Sequence, residues 1–217
     1  MDLWPRARTL ASFLDGVTVI GELAATFTTV DWHAPTPCGD WRAVDLAGHL
    51  RCVADDLGEN LDTAPYGRLA TLMAADVDAE ERDRMLARQN AAELVALGRV
   101  TGPVSVRAFA AAARAHARRL PELWGRTYYR YRGDDVTVGE AVGALCVEWH
   151  VHAWDLARAR GMDYRPADPA TLLAGWRTGL PHRPVGGGDP WLAVLRAYGR
   201  GALAEGVSAP WSPKHAV

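Results

Sequence analysis

The stretch that decides the fold is residues 137–161, TVGEAVGALCVEWHVHAWDLARARG. Its apolar positions recur with a helical period, which predicts an amphipathic α-helix. Thr137-Val138-Gly139-Glu140 reads as a capping box that opens the helix, and Gly161 ends it. Inside it Glu148 and His152 lie four residues apart, on one face, so both can reach one metal ion. At about 100° per residue they fall among Val142, Leu145, Trp149 and Leu156, the stripe expected to face the core. A carboxylate buried alone is costly. It needs a partner, either a metal or a hydrogen-bonded imidazole without one. His150 points to roughly the opposite side, where solvent is expected.

The rest of the chain also reads as helices. Residues 6–28 carry Leu10, Phe13, Leu14, Val17, Ile20, Leu23, Ala24 and Phe27 at helical spacing. A loop punctuated by Pro and Gly, WHAPTPCGDW at 32–41, leads to a helix over about 43–60 with Leu46, Leu50, Val53 and Leu57 on one face. Residues 62–77 are ambiguous. Asp78 can cap a helix running to about Leu97, with Glu80 and Glu81 in its first turn. Pro103 opens another, to about Trp124. Residues 125–136, with Tyr128, Tyr129 and Tyr131, form a loop or a short strand pair. Asp168-Pro169 and Asp189-Pro190 each pair an N-cap with proline at the first helical position. The tail from Ser208 is expected to be poorly ordered. The pattern predicts an all-α bundle over 1–162, with a short helical extension over 163–217 packed on it.

Composition narrows the function classes. The 217 residues are 49% hydrophobic with a formal net charge of −2, so bulk charge argues for no nucleic acid and no membrane partner. There is no run of about 18 apolar residues and no signal-peptide layout, which leads to an expected cytoplasmic location. Cys38, Cys52 and Cys146 are scattered without a CxxC, neither a disulfide framework nor a zinc finger. The expected partner is a small-molecule substrate, and the expected state is monomer or homodimer.

A third ligand is needed for a metal, and His49 is the candidate. It sits beside the Leu46/Leu50/Val53 stripe and follows the Pro-rich loop. His49 from one helix and Glu148/His152 from another would give two nitrogens and one oxygen, with positions left for water or substrate. Other residues have plainer readings. His116 shares a face with Phe109, Ala113 and Leu120; it is a packing residue or, as the functional alternative, a proton-transfer group. Cys38 is a small loop residue or a nucleophile. Trp41 is a packing residue or lines the cleft. Arg88 and Asn90 lie on a polar helix face.

Trp32, Pro35-Thr36-Pro37-Cys38, Trp41, Asp45-Leu46 and His49-Leu50 resemble the start of the DinB-like, mycothiol-dependent maleylpyruvate isomerase family. Glu148-x-x-x-His152-x-Trp154-Asp155-Leu156-Ala157 with Gly161 resembles its second signature; Arg88-Gln89-Asn90 and the Leu195–Arg200 region are weaker echoes. The resemblance implies a DinB-like four-helix bundle with additional C-terminal helices. It implies a divalent metal, usually zinc, held by His49, Glu148 and His152. It also implies mycothiol or another low-molecular-weight thiol as cosubstrate of an isomerase or S-transferase. It gives Arg88 and Asn90 a claim to anion or thiol binding, and Trp41, as a candidate lining residue, joins them at the expected cofactor site. The chain departs from the family at Arg42, where a capping Thr is common, and in a shorter C-terminal part. Three readings follow: a thiol-using metalloenzyme, a metalloenzyme without a thiol, and a non-enzymatic metal- or ligand-binding helical protein.

Overall fold

Side-chain caps open four of the described α-helices. In the computed structural model, which describes residues 6–179 and 185–201, Thr137 Oγ1 accepts from Glu140 N while Glu140 Oε2 accepts from Thr137 N at 2.7 Å. This is the expected capping box, and it opens α6 (Val138–Ala159). Asp78 accepts from Glu81 N to open α4 (Ala79–Leu97). Asp168 accepts from Thr171 N at the start of α7 (Pro169–Gly179). Asp189 accepts from both Trp191 N and Leu192 N before α8 (Pro190–Ala197). Each such cap stabilises its helix by about 1 kcal/mol. At α2 (Ala43–Thr63) Arg42 has no hydroxyl to offer, but half of a capping box survives because Asp45 accepts from Arg42 N at 3.0 Å.

The remaining elements are α1 (Arg6–Ala25), a 3-10 turn at Asp31–His33, α3 (Arg68–Ala74), α5 (Gly102–Leu123), β1 (Thr127–Tyr131) and β2 (Asp134–Thr137). The ambiguous stretch over 62–77 thus contains the end of α2 and a short helix. The alternative left open at 125–136 resolves as an antiparallel hairpin of β1 and β2. The first helix stops at Ala25, where the apolar period would have carried it to 28. The tail from Ser208 lies outside the described residues.

The architecture is all-α: a DinB-like four-helix bundle of α1, α2, α5 and α6, with α7 and α8 added. α1 packs on α5 and α6, α2 packs on α5, and α2 meets α6 at the candidate site. Trp149 of α6 stands at the middle of the core. Phe13 from α1 and Phe109 from α5 meet it edge-on at 5.8 and 4.9 Å between centroids, a geometry that adds to simple burial.

From Val138 to Ala157 no residue of α6 is exposed, and this corrects the expectation for His150. Val142, Val147, Val151, Ala153, Trp154 and Asp155 are buried around the whole circumference of the helix, and His150 is 1% exposed. The face assigned to water is covered by α1 and by the chain around Tyr164, while α7 packs elsewhere on the same helix. α6 and α7 cross backbone against backbone at Gly143 and Gly175. A Cβ on Gly175 would stand 2.5 Å from the Gly143 carbonyl oxygen, so only glycine permits the approach. No described helix is long and apolar enough to cross a membrane.

Candidate metal centre

Two helices build the centre. His49 lies in the first half of α2, just after the loop whose Thr36 N and Oγ1 both donate to the Trp41 carbonyl. Glu148 and His152 lie one turn apart on α6, as their spacing requires. His49 Nε2 is 3.3 Å from Glu148 Oε1, and His152 Nε2 is 3.0 Å from the same oxygen. The two imidazole rings meet edge to face with centroids 5.2 Å apart. One ligand atom from each of the three residues lies within 4.8 Å of the other two. His49 and His152 side chains are each 4% exposed, whereas Glu148 keeps 23%. Glu148 is therefore the most accessible of the three and the imidazoles lie deeper.

A network behind the three orients them. His152 Nδ1 donates to Asp155 Oδ2 at 3.0 Å. Asp155 is fully buried and is gripped by Arg200, whose Nε and Nη2 donate to its two oxygens at 3.2 and 2.8 Å. A carboxylate on one ring nitrogen, aiming the other at the ligand position, is how metal-binding histidines are held. Tyr198 Oη donates to Glu148 Oε2 at 2.8 Å. Trp41 packs its ring against His49 at 4.8 Å.

The charges are balanced inside the cluster. Burial would push His152 down, but the Glu148 and Asp155 carboxylates outweigh it and raise the imidazole to about 9. Burial pushes His49 below its ordinary value, so it is neutral. Burial would also raise Glu148, yet His152 and His49 hold it well below the usual carboxylate range. Glu148 therefore carries a negative charge between an imidazolium and a neutral imidazole. His49 donates through Nε2 to Glu148, which leaves its buried Nδ1 without a partner.

These donors fit a divalent cation. Two borderline nitrogens and one hard oxygen suit zinc, and equally nickel, cobalt or iron. Cys38, His152 and Asp155 form another close trio. It suits a cation poorly, because Arg200 already occupies both Asp155 oxygens. Burial also pushes the Cys38 thiol up to about 12, far from the thiolate a metal or a nucleophile needs.

The other sequence candidates fall elsewhere. His116 on α5 lies against Gly58 of α2, nine residues beyond His49, and its buried Nδ1 has no partner. Arg88 is exposed on α4 and pairs loosely with Glu81 on its own helix at 3.8 Å. Asn90 is half-buried on α4. His150 Nε2 donates to the Ser12 carbonyl at 3.1 Å, and its Nδ1 accepts from Tyr164 Oη at 2.5 Å. Both nitrogens are satisfied, so it is a structural histidine.

Sequence reasoning assigned no role to Asp155, Tyr198 or Arg200. Asp155 carried a signal: a carboxylate in a helix apolar on all sides must have a partner, and His152 is three residues before it. Tyr198 and Arg200 reach the centre only through the path of α7 and α8, which local spacing does not reveal.

No curated protein and no solved structure matches the chain significantly. A family model, described as the mycothiol maleylpyruvate isomerase N-terminal domain, matches residues 13–157. That stretch is two thirds of the chain and contains His49, Glu148, His152 and Asp155 on the helices that assemble them, so the chain belongs to the mycothiol maleylpyruvate isomerase N-terminal domain family.

Proposed function

We propose that the protein is a metal-dependent, thiol-using enzyme that acts on a small electrophilic substrate, as an S-transferase or a cis–trans isomerase. The observation that carries this reading is the convergence of His49 Nε2 and His152 Nε2 on one oxygen of Glu148, with Asp155 behind His152. His49, Glu148 and His152 would hold the ion, most naturally zinc, and mycothiol or a similar thiol would be the cosubstrate. A bound divalent ion supplies Lewis acidity and lowers the pKa of a thiol or water it binds.

The protein's own groups do the rest. Asp155 keeps the His152 proton on Nδ1, so Nε2 presents its lone pair once its own proton leaves. Glu148 supplies the negative charge that favours a cation over an empty site. Trp41 walls one side of His49 and keeps water from that ring. Three protein donors are one fewer than a closed structural site uses, which favours a catalytic reading over a purely structural ion. Attack of the thiolate sulfur on the β-carbon of a conjugated acid would form a C–S bond and move the C=C pair onto the activating carbonyl as an enolate. Protonation of that enolate at carbon by solvent gives a conjugate, whereas rotation about the new single bond, return of the pair and expulsion of the same thiolate gives an isomer.

A metalloenzyme without a thiol is the second reading. The exposed position of Arg88, engaged with Glu81, favours it, because this guanidinium does not stand among the residues of the centre. The deciding assay follows thiol consumption and isomer formation with mycothiol and a conjugated unsaturated diacid. Turnover that requires the thiol supports the first reading. Turnover of the substrate without thiol establishes the second.

A further inference from the structure

The centre is completed by residues outside the stretch that carries the family match. Tyr198 follows α8, and its hydroxyl donates to Glu148 Oε2. The other oxygen of that carboxylate, Oε1, is the one both imidazole Nε2 atoms approach. The two oxygens thus have separate duties, and the phenol keeps them apart. Tyr198 is itself held on two sides. Its ring meets Trp176 of α7 edge-on at 5.0 Å, and its carbonyl accepts from Arg200 Nη1 at 2.6 Å. Arg200 in turn grips Asp155, the carboxylate behind His152. One short turn after α8 therefore touches a candidate ligand directly and supports another through Asp155.

We propose that Tyr198 is a positioning residue of the metal centre: its hydroxyl occupies Glu148 Oε2, so that Oε1 alone is offered between His49 and His152. The proposal rests on the metal reading above. A carboxylate can give a cation one oxygen or two, and it turns about its terminal bond unless something holds it. Groups that hydrogen-bond to ligating carboxylates hold them in place, and their loss costs about 10–100-fold in metal affinity. Because Trp176 and Arg200 steady the phenol, the ligand set depends on the docking of α7 and α8 as well as on the bundle.

The test is a cobalt titration of the metal-stripped full-length protein, wild type against Tyr198→Phe. Phenylalanine keeps the ring against Trp176 and removes only the hydroxyl. Affinity is read by competition with a chromophoric chelator, and ligand geometry from the visible absorption of the bound ion. The expected result is an affinity lower by about tenfold or more, an altered cobalt spectrum, and unchanged far-ultraviolet circular dichroism. Affinity that is equal within about twofold or raised, with a superimposable spectrum, overturns the proposal. A lowered melting temperature with wild-type affinity and spectrum also overturns it, since it shows a merely structural role. Wild-type protein that takes up no cobalt would sink the metal reading itself, an outcome distinct from a wild type and variant that bind alike.

Discussion

His150 and His152 stand two residues apart on α6, both buried, and their surroundings give them opposite characters. His150 meets a backbone carbonyl from α1 and a phenol, its one carboxylate neighbour, the half-exposed Asp15, stands off at 3.9 Å, and burial pushes it below its ordinary value. Its nitrogens are both occupied, so it joins α1 to the segment after α6. His152 meets two carboxylates, Glu148 and Asp155, and is raised to about 9. Burial lowers both imidazoles, and only at His152 is it outweighed. The charges across from each ring decide whether it is a structural link or a candidate ligand.

The strongest way to break this comparison is to remove the carboxylate behind His152. Asp155→Ala should leave the Arg200 guanidinium buried beside an empty space, which costs about 3–5 kcal/mol in the metal-free protein. Urea unfolding checks this, and a loss below about 1 kcal/mol would show that Arg200 escapes to water. On the other side of α6, His150→Ala should cost less, about 1–3 kcal/mol for the stranded Tyr164 hydroxyl and Ser12 carbonyl. It should leave metal content untouched. Equal metal loss in this variant would erase the distinction between the two histidines.

The smallest effect is the most diagnostic, because the two histidines titrate in opposite senses. His152 has a folded-state pKa raised above its ordinary 6.5. Its contribution to the metal-free fold is therefore complete below about 6.5 and fades as pH rises through about 9. His150 has a lowered folded-state pKa, so its contribution is present above the ordinary value and fades as pH falls below it. Metal uptake must expel the His152 Nε2 proton. Apparent zinc affinity should then rise by about tenfold per pH unit between 7 and 9, as release of one proton requires. Titrations at three pH values in that window check it. A flat profile would mean that His152 is not ionised in the metal-free protein.

Much of this was legible in the sequence. The apolar period places α1, α2, α5 and α6, and terminal signals place α4 through Asp78, α5 through Pro103 and α6 through Thr137. Thr137/Glu140, Asp78, Asp168 and Asp189 cap as their positions suggest. The four-residue spacing placed Glu148 and His152 on one face, and His49 followed from the stripe on α2. The environment of His150 departs from the sequence expectation because the side of α6 expected to be wet is covered by α1 and the chain around Tyr164. The helix carries Val147, Val151, Ala153 and Trp154 between its polar residues, and a helix apolar all round is an interior helix. Tyr198 and Arg200 fall in the Leu195–Arg200 stretch that weakly echoes the family, but no local spacing gives them a role. They lie 50 and 45 residues from Glu148 and Asp155, and only the crossing of α7 over Gly143 brings them back.

The central claim is that His49, Glu148 and His152 together hold one divalent cation. Elemental analysis of the purified protein beside His152→Ala and His150→Ala tests it most directly. About one zinc or similar ion per chain in the wild type and in His150→Ala, with none in His152→Ala, is the predicted result. Metal-free wild-type protein that also takes up none on titration, or a His152→Ala protein that keeps its ion, would contradict it.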